Sequence, residues 1–133
     1  MKGDVQKPVP AAPELMSEGG KAVWDRLAPD LVRLERLEPR HADMFQAYCE
    51  AVADVIELTS NIVLMGRTYQ VKTRNGWQQK KTADWQARQD ALATMRQLGA
   101  LFGMSPVDDQ RLSGAGQGDL FDAILSKLND GPA

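Results

Sequence analysis

The sequence predicts a mainly α fold: a helical hairpin core with a short β-hairpin between its two long helices. Three observations carry the prediction. Phe45, Tyr48, Val52, Val55, Thr59 and Ile62 recur at alternating three- and four-residue steps, and Met44, Ala51, Ile56 and Val63 widen that stripe. This spacing puts side chains on one face of a helix. Next, Thr68–Arg74 and Trp77–Lys80 are β-prone runs joined by Asn75-Gly76, the signal for a type I′ turn whose two central residues need positive φ. Finally, Trp85, Ala91, Leu92, Met95, Leu98, Leu101 and Phe102 stripe a second helix, closed by Gly103 and Pro106. A single amphipathic helix cannot cover its own apolar face. The pair shows more apolar face than one short hairpin covers, which points to self-association through Phe45, Tyr48, Val52, Val55, Ile56, Ile62, Leu92 and Met95.

The remaining elements follow in chain order. Residues 1–16 read as a flexible arm, because Pro8, Pro10 and Pro13 resist helix and little is available to bury. Lys2 and Lys7 read as solvated there. Ser17 suits an N-cap, with Glu18 at the positive end of the helix dipole. The helix that follows places Trp24, Leu27, Leu31 and Leu34 on one stripe, and Pro29 should kink or split it. Trp24 at this spacing reads as core. Pro39 stops the chain and Arg40-His41-Ala42-Asp43 opens the long helix; His41 has no second ligand in view. Ser113–Gly118, with three glycines in six residues, reads as a linker. Residues 119–133 then carry an amphipathic helix with Asp119 as its N-cap. Leu120, Phe121, Ile124, Leu125 and Leu128 share its apolar face, in the form of a segment docked on a partner. Folding back on its own domain is the other use of such a face. The main domain is thus 17–112.

Composition excludes several classes. Hydrophobic residues are 43% and aromatics 6%, so a core is possible but must be mostly aliphatic. With a net charge of −2 the chain is not a globally basic nucleic-acid binder; any such role is local. The locality is visible. Between Arg67 and Lys81 stand five cations (Arg67, Lys72, Arg74, Lys80, Lys81) and no acid. A ribbon with Lys, Arg, Gln and Asn suits phosphates and base edges, while charge that keeps an exposed hairpin soluble is an equal reading. Tyr69 and Trp77 either stack on bases or pin the hairpin to the helices.

One cysteine, Cys49, and one histidine make neither a disulfide framework nor a zinc cluster, and Cys49 reads as a packed side chain. No run approaches the roughly 18 apolar residues of a membrane span, and Met1–Asp4 lacks the apolar core of a signal peptide, so a cytoplasmic location is expected. No phosphate loop, nucleophile elbow, catalytic carboxylate pair or metal constellation is present in the sequence, and Asp108-Asp109 suits a helix start. The expectation is a binding or assembly protein, not an enzyme, with no cofactor and no metal.

Pro13-Glu14-Leu15 and Trp24-Asp25-Arg26-Leu27-Ala28-Pro29-Asp30-Leu31 resemble the N-terminal signature of the P27-type small terminase subunits of tailed bacteriophages. Phe45-Gln46-Ala47-Tyr48-Cys49, Gly66, Gly76 and Leu98–Pro106, with Arg111 shortly after, continue the same pattern, over about residues 13–112. The resemblance implies a homo-oligomeric ring that recognises double-stranded viral DNA at the packaging site. It also implies recruitment and regulation of the large subunit, which holds the ATPase and nuclease, in the host cytoplasm. Arg67, Lys72, Arg74, Trp77, Lys80 and Lys81 would then contact DNA, and the segment with Leu120, Phe121, Ile124, Leu125 and Leu128 would hook the large subunit. The alternative is an oligomeric helical adaptor or scaffold that binds only protein.

Overall fold

The structure, a computed structural model, describes residues 7–129, except the side chains of 115–123. Its order is α1 (Glu18–Arg33), a 3-10 turn (Pro39–His41), α2 (Ala42–Met65), β1 (Thr68–Thr73), β2 (Gly76–Lys81), α3 (Ala83–Phe102) and α4 (Pro106–Asn129). The fold is mainly helical with a two-stranded antiparallel hairpin between the long helices. Residues up to Leu98 make one compact unit, and those from Gly99 onward a second.

In the first unit α1 packs on the first half of α2. Ser17 caps α1, its Oγ accepting from the Gly20 N–H at 2.9 Å. The same hydroxyl donates to Glu50 Oε1 of α2 at 2.7 Å, so the cap also staples the two helices. Their approach is close enough that a Cβ on Gly20 would lie 1.6 Å from Glu50 Oε1. Only a residue without a side chain fits while that carboxylate stays on Ser17. Next to this crossing, Trp24 and Phe45 meet tilted, with ring centroids 4.7 Å apart, and both are almost fully buried. Aromatic pairs in this arrangement add about 0.5–1.5 kcal/mol beyond their area burial. Val23, Ala28, Leu31, Val32 and Tyr48 complete the layer.

Helix α1 is a single helix; Pro29 neither splits it nor ends it at once. The proline is exposed, on the side where a carbonyl freed at Asp25 can turn to water. The core stripe is rotated from the expected one. Leu34 is 44% exposed, and Val23, Ala28 and Val32 are buried in its place. The helix closes as a Schellman motif, with Arg36 N–H on Leu31 O at 2.8 Å and Glu35 N–H on Val32 O at 3.0 Å. Its left-handed position is Glu35, at φ +61. The following turn is built by reciprocal bonds between Glu38 and His41; His41 Nδ1 accepts from the Glu38 N–H at 3.0 Å. The lone histidine is thus a helix-entry residue.

Three expectations are corrected. The arm's residues 7–16 are docked: the Trp24 indole donates to Pro10 O at 2.9 Å, and Met16 is buried. An indole N–H in a core needs a partner, and the arm's backbone supplies it. Residues 1–6, Lys2 among them, and 130–133 lie outside the described residues. Phe45, Tyr48 and Val52, expected at an oligomer contact, are buried within the protomer, because α1 is the helix that covers this half of the stripe. Ser113–Gly118, expected as a linker, is part of α4. Glycine costs a helix only about 1 kcal/mol relative to alanine, and no proline interrupts this stretch. The turn or short helix that the sequence predicts from Met104-Ser105-Pro106 thus runs on without a second start at Asp119; its cap is Ser105, whose Oγ accepts from Asp108 N–H at 3.1 Å and donates to Asp108 Oδ2 at 2.7 Å.

Cys49 is fully buried. Its thiol is pushed up to about 12, by burial first, then by the Glu50 charge, against a smaller opposing effect of Arg26. A thiol-reactive dye at neutral pH should leave Cys49 unlabelled in the folded protein and label it at the rate of unfolding; fast labelling without urea would contradict this packing. Replacing Glu35 by glycine should stabilise the protein by about 1 kcal/mol, since the left-handed strain disappears. Melting temperature should rise by about 2–4 °C. The exposed Lys7–Glu35 pair, which this exchange removes, is worth little.

Candidate nucleic-acid interface

The ribbon is fixed by its turn and its base. Thr73 pairs with Gly76, so Arg74 and Asn75 are the two loop residues. The expected type I′ turn with Asn75-Gly76 at its centre is not formed. Asn75 keeps a negative φ, and Gly76 alone takes the left-handed region, at φ +107. The turn through Arg74 and Asn75 thus needs the left-handed region only once, at Gly76, a conformation other residues rarely adopt. At the open end Thr82 N–H donates to Arg67 O at 2.9 Å. The Thr82 hydroxyl then accepts from Trp85 N–H at 3.2 Å, capping α3. An isolated hairpin is marginal in water; here one threonine ties it to the next helix.

The register sorts the predicted residues. Lys72 lies opposite Trp77, Thr68 opposite Lys81 and Tyr69 opposite Lys80. Side chains alternate along a strand. Lys72, Trp77 and Lys81 therefore share one face with Gln70 and Gln79, while Lys80 is on the other with Tyr69 and Gln78. Arg74 is at the tip, and Arg67 precedes the ribbon at its base. The structure thus brings three of the six together on a face and distributes the others around the ribbon. All six are exposed. Trp77 at 67% and Tyr69 at 50% exposure are not anchors. The aromatic at the anchor point is Trp85, with Lys81 Nζ 4.4 Å from its ring centroid, a cation–π contact.

The acidic surface lies elsewhere. Glu50, Asp54 and Glu57 follow one another along α2. The Asp54 carboxyl is raised above its ordinary value, by partial burial first, then by the charges of Glu50 and Glu57. A raised carboxyl binds its proton more readily folded than unfolded. It therefore subtracts from stability at neutral pH, and this is relieved as pH falls through the folded value.

Sequence reasoning missed the ground beside the ribbon. Thr59, Ile62 and Val63 of α2, Arg67, and Trp85, Arg88 and Gln89 of α3 line an open cavity of about 290 Å³. A cation count confined to the hairpin stops short of Arg88. The available signal is the three-residue step from Trp85 to Arg88 at a helix start. Of the apolar residues assigned to partner docking on α4, Ile124, Leu125 and Leu128 are 48%, 41% and 72% exposed. The side chains of Leu120 and Phe121 lie outside the described residues. Arg111 bonds Ala100 O at 2.8 Å, satisfying a carbonyl at the end of α3. Among the described residues no three His, Cys, Asp or Glu side chains converge as metal ligands, and no helix is long and apolar enough to cross a membrane.

The described residues thus form a helical framework that holds out an exposed ribbon rich in lysine and arginine. The profile of the phage terminase small subunit matches residues 20–119. The match spans helices, ribbon and the greater part of α4. The chain belongs to that family and has a role in phage DNA packaging. No curated protein and no solved structure matches it.

Proposed function

We propose that this chain is a P27-type small terminase subunit that oligomerises, recognises viral double-stranded DNA at the packaging site through its ribbon, and recruits and regulates the large terminase subunit. The family as a whole is generally non-catalytic, with the ATPase in the large subunit. The site of action is the host cytoplasm.

The observation that carries the DNA assignment is the exposed ribbon, which has five cations and no acid from Arg67 to Lys81. Strands of six residues extend about 20 Å, and a two-stranded ribbon enters a B-DNA major groove about 12 Å wide. Five charges on a monomer of net charge −2 make a weak site. Repetition of the ribbon around a homo-oligomeric ring, the assembly proposed here, supplies the avidity. Support for self-association comes from the second half of α2, which α1 does not cover. There Ile56 is 57% exposed, and Val63, Leu64 and Met65 are each 79% exposed. Val55, Ile62, Leu92 and Met95 are half-buried beside them in the sequence pattern. The apolar residues of α4 are assigned to the large subunit.

Joint replacement of Lys72, Arg74, Lys80 and Lys81 by alanine should weaken duplex binding at least tenfold. It should flatten the plot of log affinity against log salt by about 0.9 for each phosphate no longer neutralised, while native mass spectrometry shows an unchanged assembly. Unchanged DNA affinity would favour the protein-only adaptor instead. Deleting residues 119–130 should abolish stimulation of the large subunit's ATPase without dissolving the oligomer; full stimulation by the truncated chain would remove the docking assignment.

A further inference from the structure

The cavity at the base of the ribbon is lined by Ile62 and Val63 together with Arg67, Trp85 and Arg88. No carboxylate lines it. We propose that it is a phosphate subsite, taking one backbone phosphate of the same DNA that lies along the ribbon. The inference rests on the DNA-binding reading and adds residues to it.

The argument begins with how Arg88 is held. Its Nε–H donates to Thr59 Oγ1 at 2.7 Å. The Thr59 hydroxyl hydrogen is itself committed to Val55 O at 2.6 Å, so Thr59 meets Arg88 as an acceptor. A guanidinium fixed through Nε keeps its two terminal nitrogens as a fork spaced for two oxygens of one oxyanion. Arg88 is half-buried, and neither it nor Arg67 has an acid partner among the described residues. Holding a charge against an apolar wall without a counterion is unfavourable, and an anion at this point reverses that.

Continuity with the ribbon selects phosphate of nucleic acid as the anion. Arg67 directly precedes β1, and Lys81, the last residue of β2, places its ammonium over Trp85. A phosphate chain that follows Lys72 toward the base of the ribbon therefore arrives among Arg67, Lys81 and Arg88. The guanidinium there is positioned before the ligand comes, so little ordering opposes binding.

The test uses the full-length chain in two arms. In a Trp77→Phe background, where Trp85 reports beside the buried Trp24, inorganic phosphate is titrated against chloride at matched ionic strength. A saturable fluorescence change is expected in the millimolar range, absent in Arg88→Gln. In the second arm the affinity for a random duplex is measured across salt. Arg88→Gln should bind about tenfold more weakly with a salt slope smaller by about 0.9, and Arg88→Lys should recover the slope without the full affinity. Wild-type affinity and slope in Arg88→Gln, with duplex binding weakened at least tenfold in the four-residue ribbon variant, would overturn the subsite and leave the ribbon assignment standing. A phosphate response in a wild-type chain that binds no duplex would overturn both, leaving a site for free anions.

Discussion

The contact on which the rest of this structure depends is the crossing of α1 and α2. At that point Trp24 and Phe45 meet as a buried pair, and Gly20 lets the helices approach until Glu50 reaches the Ser17 cap. Hydrophobic area and one shared carboxylate act at the same place. Burial of the aromatics supplies the free energy, and the Ser17–Glu50 bonds fix which turns face each other. The arm completes the layer through the Trp24 indole. Everything the protein presents outward begins where this contact ends.

Helix α2 shows the consequence. It is 24 residues long, and its first half is used by α1, while its second half carries apolar side chains into solvent or toward the start of α3. A helix this long divides its labour along its length: one end anchors the fold, the other presents surface. The ribbon then projects from the presenting end, tied down by Thr82 and by Lys81 on Trp85. Neither strand has a buried face, so the hairpin contributes little to the core and its side chains are free for charge and for contacts with a ligand.

Charge is partitioned in the same way. The net charge of −2 averages a carboxylate-bearing α2 and an acid-free ribbon, and the average describes neither. Partial burial of Asp54, with the like charges of Glu50 and Glu57, lowers stability at neutral pH, whereas the cations at the ribbon repel one another until an anion joins them. On the proposed function, a locally positive element on an acidic body would discourage indiscriminate binding and leave affinity to repetition in an assembly.

The sequence by itself determined the kinds of elements up to the end of α3 and most of their ends, whereas the stretch read as a linker after it is helix. Periods of 3.6 and 2 residues report local geometry, and Ser17, Gly66, Gly76 and Gly103 act within a turn of their own positions, so these features need no knowledge of distant chain. The basic run from Arg67 to Lys81 was legible for the same reason. Tertiary structure decided the rest. A stripe of apolar residues does not say which neighbour covers it, and α1 claimed Phe45, Tyr48 and Val52 from the face assigned to another subunit. The Asn-Gly signal located the hairpin, but the positive φ falls on Gly76 alone, and the register sets Lys72 opposite Trp77. The cavity was invisible because Thr59 and Arg88 stand far apart in the chain. Their meeting depends on where α3 starts after the ribbon, a geometric outcome that no local pattern encodes.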